Sequence, residues 1–174
     1  TNNEKMKQEI FLCEFTHKDF ENLISWVNNE KELIQFAGPI FSFPLTKEQL
    51  NDYLKDPNRY PFKIVLKNSN LAIGHCEVYK TSDDIVRLCR IIIGNKTYRG
   101  QGLGYDATLK LIKWCMDNLK PKTIDLNVYD FNTTAIKCYE KIGFKKTTDT
   151  KETTFKGEVW TSIRMTLQIQ NLTN

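Results

Sequence analysis

The chain has 174 residues, 40% of them apolar and 11% aromatic, with 25 Lys and Arg against 21 Asp and Glu for a formal charge of +4. That length suits one domain of roughly 100–200 residues, and the apolar share closes a core, so a disordered chain is excluded and residues 1–174 are expected to form a single domain. No apolar run approaches the roughly 20 residues of a membrane span, and the opening TNNEKMKQEI lacks a secretory apolar stretch, so neither a membrane partner nor secretion by a leader is expected.

The charge is mild, and basic residues alternate with acidic ones; the longest basic cluster is Lys145-Lys146. A solvated surface is expected rather than a nucleic-acid face. Cys13, Cys76, Cys89, Cys115 and Cys138 are odd in number and never form a CxxC pair, and His17 and His75 stand outside any zinc-ligand spacing. Reduced thiols in a cytoplasmic protein, with no metal, are the expectation.

Gln8 to Phe15 reads as a first strand. A helix follows, started by Thr16 and Asp19 and striped by Phe20, Leu23, Ile24 and Val27; Lys31 to Phe36 extends it by another turn or two before Gly38-Pro39 breaks it. Pro39 to Leu45 is apolar but bracketed by prolines, hence a loop resting on something. Thr46 and Gln49 have capping-box spacing and open a short helix through Leu50, Tyr53 and Leu54. Strands are predicted at Phe62–Lys67, Leu71–Lys80 and Ile85–Ile93, joined by hairpin-like turns. The period then becomes helical over Gly102–Leu119, with Leu103, Ala107, Leu111, Trp114 and Cys115 as the apolar stripe and Lys120-Pro121 as the stop. Thr123–Val128 is a strand, Thr133–Ile142 a helix closed by Gly143, and Phe144–Thr148 and Val159–Ile169 are final strands. This order describes an α+β domain with a mixed sheet.

Gly100, Gly102 and Gly104 fall between a strand and a helix start, beside Arg99. Glycine permits positive φ and lets backbone N–H groups approach an anion closely. A helix N-terminus adds unpaired donors and a positive dipole end, so a pyrophosphate is the natural ligand. The P-loop pattern is absent. Gly102-x-Gly104-x-x-Ala107, with Asp125 downstream, formally satisfies a dinucleotide fingerprint. However, that fingerprint should open a series of parallel βαβ units, whereas antiparallel hairpins precede it here, so an oxidoreductase is disfavoured.

Arg99-x-x-Gly102-x-Gly104 resembles the acetyl-CoA loop of the GCN5-related N-acetyltransferase (GNAT) superfamily. Downstream, Asn132-Thr-Thr-Ala135-Ile-Lys-Cys-Tyr139-Glu-Lys-Ile-Gly143-Phe144 is similar to the family's N-x-x-A-x-x-x-Y-x-K-x-G-F segment without a gap. Trp26-x-Asn28 and Pro44-Leu-Thr-x-Glu-Gln49 more loosely resemble the branch of ribosomal-protein and spermidine acetyltransferases. The resemblance implies a mostly antiparallel, splayed central sheet with helices on both faces. It also implies acetyl-CoA as co-substrate and direct transfer to a primary amine on a small molecule, polyamine or protein N-terminus. A non-catalytic acyl-CoA sensor is the rival from another class, and homodimerisation is left open.

On that resemblance, Arg99, Gly100, Gln101, Gly102, Leu103, Gly104 and Tyr105 would cradle the pyrophosphate. Main-chain groups of Ile92, Ile93 and Gly94 would pair with the pantetheine amides, and one N–H there would meet the charge developing on the acetyl oxygen. Tyr139 holds the family's position for the acid that protonates the departing thiolate; a free phenol, with a pKa of about 10, stays protonated at neutral pH. Asn132 would bond the pantetheine or cap the helix of Tyr139. Glu77 and Asp130 are the available carboxylates for a base, since the strand before the glycine loop reads Arg87-Leu-Cys-Arg90; an ordered water could replace either, and His75 is expected to be structural. Phe36, Phe41 and Phe43 could wall the acceptor channel, and Glu30, Glu32 and Glu48 read as solvated charges.

Overall fold

The computed structural model describes residues 7–172; residues 1–6, on which part of the leader expectation falls, lie outside the described residues. The strands are β1 (Ile10–Glu14), β2 (Arg59–Leu66), β3 (Ala72–Lys80), β4 (Ile85–Ile93), β5 (Thr123–Tyr129), β6 (Lys145–Phe155) and β7 (Glu158–Gln168). The helices are α1 (Phe20–Trp26), α2 (Glu30–Ala37), α3 (Lys47–Tyr53), α4 (Leu103–Asn118) and α5 (Thr133–Ile142). Among the described residues, all seven strands join one sheet in the order β1-β2-β3-β4-β5-β7-β6, antiparallel except where β4 meets β5. The expected mixed fold class is the observed one.

Where elements differ from expectation, local chemistry explains it. The single helix expected over residues 20–36 is two, because Val27 is extended and Asn29 caps α2, its side chain accepting from the Glu32 N–H at 2.8 Å. The Glu32 carboxylate in turn accepts from the Asn28 N–H at 2.8 Å. Strand β2 begins at Arg59 and runs through Pro61, which can supply only a carbonyl; that carbonyl accepts from the Phe15 N–H at 3.0 Å. Strand β6 continues to Phe155 through a run of Thr, Asp, Lys and Glu that carries no apolar alternation. It is an edge strand with mostly exposed side chains, so burial leaves no mark on its sequence. Lys156 and Gly157, with φ of 47° and 81°, form the tight turn that returns it to β7.

The sheet is covered on both faces. Helix α4 buries Leu103, Ala107, Leu111 and Cys115 against Ile73, Cys76, Val78 and Leu88, and Ile136 of α5 joins that cluster. Helices α1 to α3 bury Phe20, Leu23, Leu33, Leu50 and Tyr53 in a separate cluster. Strand alternation sends Cys76 and Val78 toward α4, and His75 and Glu77 to the opposite face.

Candidate active site

Strands β4 and β5 pair only through Ile85↔Thr123, Val86↔Ile124 and Arg87↔Asp125. Beyond these positions β4 runs on to Ile93 and β5 to Tyr129 without pairing each other, so the sheet opens toward the carboxyl ends of both strands. Asp125, 1% exposed, sits at the vertex. Its carboxylate accepts from Arg87 Nε at 2.9 Å and Nη2 at 3.0 Å, and from Arg164 Nε at 2.7 Å. Asp125 is thus a structural anchor, not the ribose ligand of a dinucleotide site.

A cavity of about 540 Å³ occupies the opening and passes through the sheet. On the α5 side Asn132, Ala135 and Tyr139 line it; on the α2 side the walls include Phe36, Arg59 and Tyr79. Leu88 to Ile91 and Leu126 to Tyr129 form its flanks.

The expected main-chain contributors shift by one register. The Gly94 N–H is not available to a ligand, because it donates to the Ile73 carbonyl at 2.8 Å. With His75↔Ile92 as the paired residues two positions back, alternation turns the Ile92 groups toward β3 as well. The Ile93 main chain therefore turns away from β3, its carbonyl accepting from Arg99, and Ile91, next to the irregular Arg90, lines the cavity. Gly94 is required for packing, since a Cβ there would lie 2.1 Å from the Trp26 ring. Trp26 is thereby a packing residue, and Gln49 likewise serves structure, clamping the 42–46 loop through Ser42 and Pro44.

The residues of the glycine loop meet the demands of an anionic ligand. Gly100 and Gly102 both have φ of 76°, and Gly102 is the left-handed N-cap of α4. A Cβ at Gly100 or Gly104 would meet no atom within 4 Å, so the loop presents bare backbone to open space. The first N–H groups of α4, from Leu103 to Tyr105, point the same way by helix geometry. Leu103 contributes main chain only, its side chain being core. The Arg99 Nε donates to the Ile93 carbonyl at 2.7 Å, tying the loop to the end of β4. Gln101 donates to the Thr97 carbonyl, and the Tyr105 ring carries Lys141 Nζ 4.9 Å from its centroid, linking α4 to α5.

Asn132 caps α5, its side-chain oxygen accepting from the Ala135 N–H at 3.3 Å, while it also lines the cavity. Gly143, with φ of 123°, closes the helix as expected. Tyr139 stacks edge-on against Phe144 at 5.8 Å, which fixes the ring. Its hydroxyl makes no hydrogen bond among the described residues, whereas no buried side-chain oxygen or nitrogen there lacks a partner, so the hydroxyl opens into the cavity. Burial, then the neighbouring Cys138 and Cys89 thiols, push its pKa well above the ordinary phenol value.

Neither expected carboxylate faces this space as a free base. Glu77 is fully buried. It accepts from Arg90 Nε and Nη2 at 2.7 and 3.0 Å, from Arg59 Nε at 3.2 Å, and from the Tyr53 hydroxyl through a very short bond. Asp130 is exposed in the turn after β5 and does not line the cavity. His75 is structural, as expected: its Nδ1 donates to the Arg90 carbonyl at 2.7 Å, its Nε2 lies 3.1 Å from the Tyr53 hydroxyl, and burial lowers its pKa to about 4. Arg90 itself has φ of 50° and marks a bulge in β4. Sequence reasoning missed Arg59, Arg87 and Arg90 as cavity residues. Two arginines within the apolar strand Ile85–Ile93 were the available signal, because a charge placed there must find a buried partner.

Phe36 lines the cavity, Phe41 packs on Tyr53 at 5.6 Å, and Phe43 is exposed. None of Glu30, Glu32 and Glu48 lines it.

A sheet that parts between two parallel neighbours, beside a glycine loop capping a long helix, defines the class. The chain belongs to the acetyltransferase (GNAT) domain family, which it matches over residues 9–145. An uncharacterised protein of Methanocaldococcus jannaschii is 27% identical over 154 residues, covering 87% of this chain and 31% of that protein. An N-acetyltransferase 9-like protein of Nematostella vectensis is 20% identical, covering 95% of this chain and 86% of that one. The chain thus spans about a third of the archaeal relative's length and most of the other's. Among solved structures, spermidine N-acetyltransferase from Vibrio cholerae, in complex with CoA and spermine, superposes with a TM-score of 0.80 at 19% identity, over 95% of this chain and 98% of that one. An aminoglycoside acetyltransferase in complex with coenzyme A gives 0.72 at 18%, over 95% and 98%. At such identities the likeness concerns the fold.

Proposed function

We propose that this domain is an N-acetyltransferase that moves the acetyl group of acetyl-CoA directly to a primary amine, both substrates being bound at once. The observation that carries the reading is the Tyr139 hydroxyl, free of protein partners, opening into the cavity made where β4 leaves β5. Family membership and the bare glycine loop support the choice of acetyl-CoA.

When bound, acetyl-CoA supplies an activated acetyl thioester. The pyrophosphate would lie against the loop from Arg99 to Tyr105, and the Ile93 N–H and the Ile91 main chain would serve the pantetheine arm and the acetyl oxygen. The amine nitrogen bonds to the acetyl carbon as the carbon–sulfur bond breaks, and the sulfur takes the Tyr139 proton, which solvent restores. Glu77 is closed off by two guanidinium groups and Asp130 lies outside, so neither takes the amine's proton, which leaves to solvent.

The test is an acceptor screen with acetyl-CoA, scoring release of free thiol across amino acids, polyamines, aminoglycosides and peptides. Amine-dependent thiol release, with an acetylated product of matching mass, is the expected result. Failure of the protein to bind CoA in a calorimetric titration would end the reading.

A further inference from the structure

We infer that the acceptor amine of this site also carries a carboxylate, held by the guanidinium groups of Arg59, Arg87 and Arg90 on the cavity wall. The inference rests on the acetyltransferase reading above and adds the chemical class of the second substrate.

Arg59, Arg87, Arg90 and Lys151 all line the cavity, and Glu152 is the one carboxylate among the described lining residues. The three arginines are anchored from behind. Glu77 is 0% exposed while the Arg59 and Arg90 side chains are each 12% exposed, and Asp125 is 1% exposed while Arg87 is 26% exposed. Each ion pair therefore points its positive end at the cavity and its negative end into the protein.

The hydrogen bonds leave donors over. Arg90 uses Nε and Nη2 on Glu77, and Arg87 uses the same pair of atoms on Asp125. Arg59 uses Nε on Glu77 and Nη1 on the Tyr53 carbonyl. One terminal nitrogen of each guanidinium has no protein partner, and since no buried side-chain nitrogen among the described residues is unsatisfied, these nitrogens are reached from solvent. Charge-assisted N–H donors left over on three guanidiniums around one cavity are suited to a carboxylate.

These groups stand apart from the phosphate cradle, because no residue of the 99–105 loop lines this cavity. A polycationic acceptor would meet three fixed guanidiniums and Lys151 there against the single carboxylate of Glu152; Glu30, Glu32 and Glu48 lie elsewhere. Phe36, Ile40, Leu88, Leu126 and Val128 supply apolar wall beside the polar Asn127, Thr153 and Ser162, which leaves room for a modest apolar body.

The experiment uses matched acceptors with the intact chain. CoA is first titrated calorimetrically; absence of binding overturns the acetyltransferase reading and the present inference with it. With CoA bound, thiol release is measured for a panel of α-amino acids spanning apolar, polar and acidic side chains. Each is compared with its carboxamide and its decarboxylated amine, and with spermidine. At least a tenfold higher kcat/KM for the acid than for its partners is expected for the accepted members. The Arg59→Lys and Arg87→Lys variants, which keep the charge on Glu77 and Asp125 but lose the spare terminal nitrogen, should bring that ratio toward one. Equal or better use of spermidine, the carboxamide or the decarboxylated amine overturns the inference and leaves the acetyltransferase reading standing. So does CoA binding without turnover of any carboxylate-bearing amine.

Discussion

Arg87 and Asp125 are the last residues paired between β4 and β5, and they are also joined by two hydrogen bonds of 2.9 and 3.0 Å. The ion pair thus sits where the parallel ladder ends, and Arg164 from β7 closes on the same carboxylate. Removing the carboxylate would strand two part-buried guanidiniums at the vertex. Asp125→Ala should therefore lower stability by about 3–5 kcal/mol, the usual consequence of breaking a buried pair from one side. Urea unfolding at pH 7 checks this; a loss below about 1 kcal/mol would mean that the vertex is held by main-chain pairing alone.

Gly104 separates folding from ligand binding. A Cβ there meets no atom within 4 Å, and alanine suits a helix better than glycine, so Gly104→Ala should fold with an unchanged or slightly raised Tm. A methyl group in the proposed cradle should nevertheless weaken CoA binding about tenfold or more by blocking close backbone approach. Thermal unfolding and calorimetry on the same sample read both effects. Unaltered affinity would place the diphosphate away from the loop.

Tyr139→Phe removes the proposed proton donor while keeping the ring against Phe144. The turnover number should drop about 100-fold or more, with little change in the Kd for CoA. A non-catalytic CoA sensor would have no turnover to lose.

The pH profile follows from the same site. Burial raises the Tyr139 pKa, so the donor stays protonated beyond the ordinary phenol range and imposes no falling limb near pH 10. With Glu77 and Asp130 excluded as bases, kcat/KM should rise with pH until the free amine predominates. That point is about pH 8 for a peptide N-terminus and higher for a free amino acid, whose own carboxylate raises its amine. A plateau beginning near pH 5 would reveal an acidic base.

Stability should have its own acid limb. His75 is fully buried and its pKa is lowered to about 4 from 6.5, chiefly by burial. Between those values the unfolded chain binds the proton and the folded one does not, so stability falls as pH drops from 6.5 toward 4. The loss is on the order of 3 kcal/mol for this group. Denaturant unfolding of wild type and His75→Asn across that window isolates it, because the amide of asparagine can still donate to the Arg90 carbonyl but cannot titrate. An identical acid limb in both proteins would assign it to other groups.

The motifs from Arg99 to Gly104 and from Asn132 to Phe144 were readable because they act through local geometry. Positive φ at Gly100 and Gly102, the Asn132 cap and the Gly143 stop each depend on neighbours within a few residues. The helical stripe of α4 and the hairpins of β2 to β4 were legible for the same reason, since a buried face imposes a period on the chain. Strand β6 was not, because its exposed faces impose none.

The order of elements, the glycine loop and the placement of Tyr139 on a capped helix can be read along the chain, because short-range backbone and burial rules set them. Tertiary structure alone decided that Glu77 is spent on Arg59, Arg90 and Tyr53, that Gly94 seats Trp26, and that three guanidiniums face one cavity. Those outcomes join residues from strands and helices far apart in the chain. A charge declares that it must be paired, but only the folded sheet names its partner and the direction in which it points.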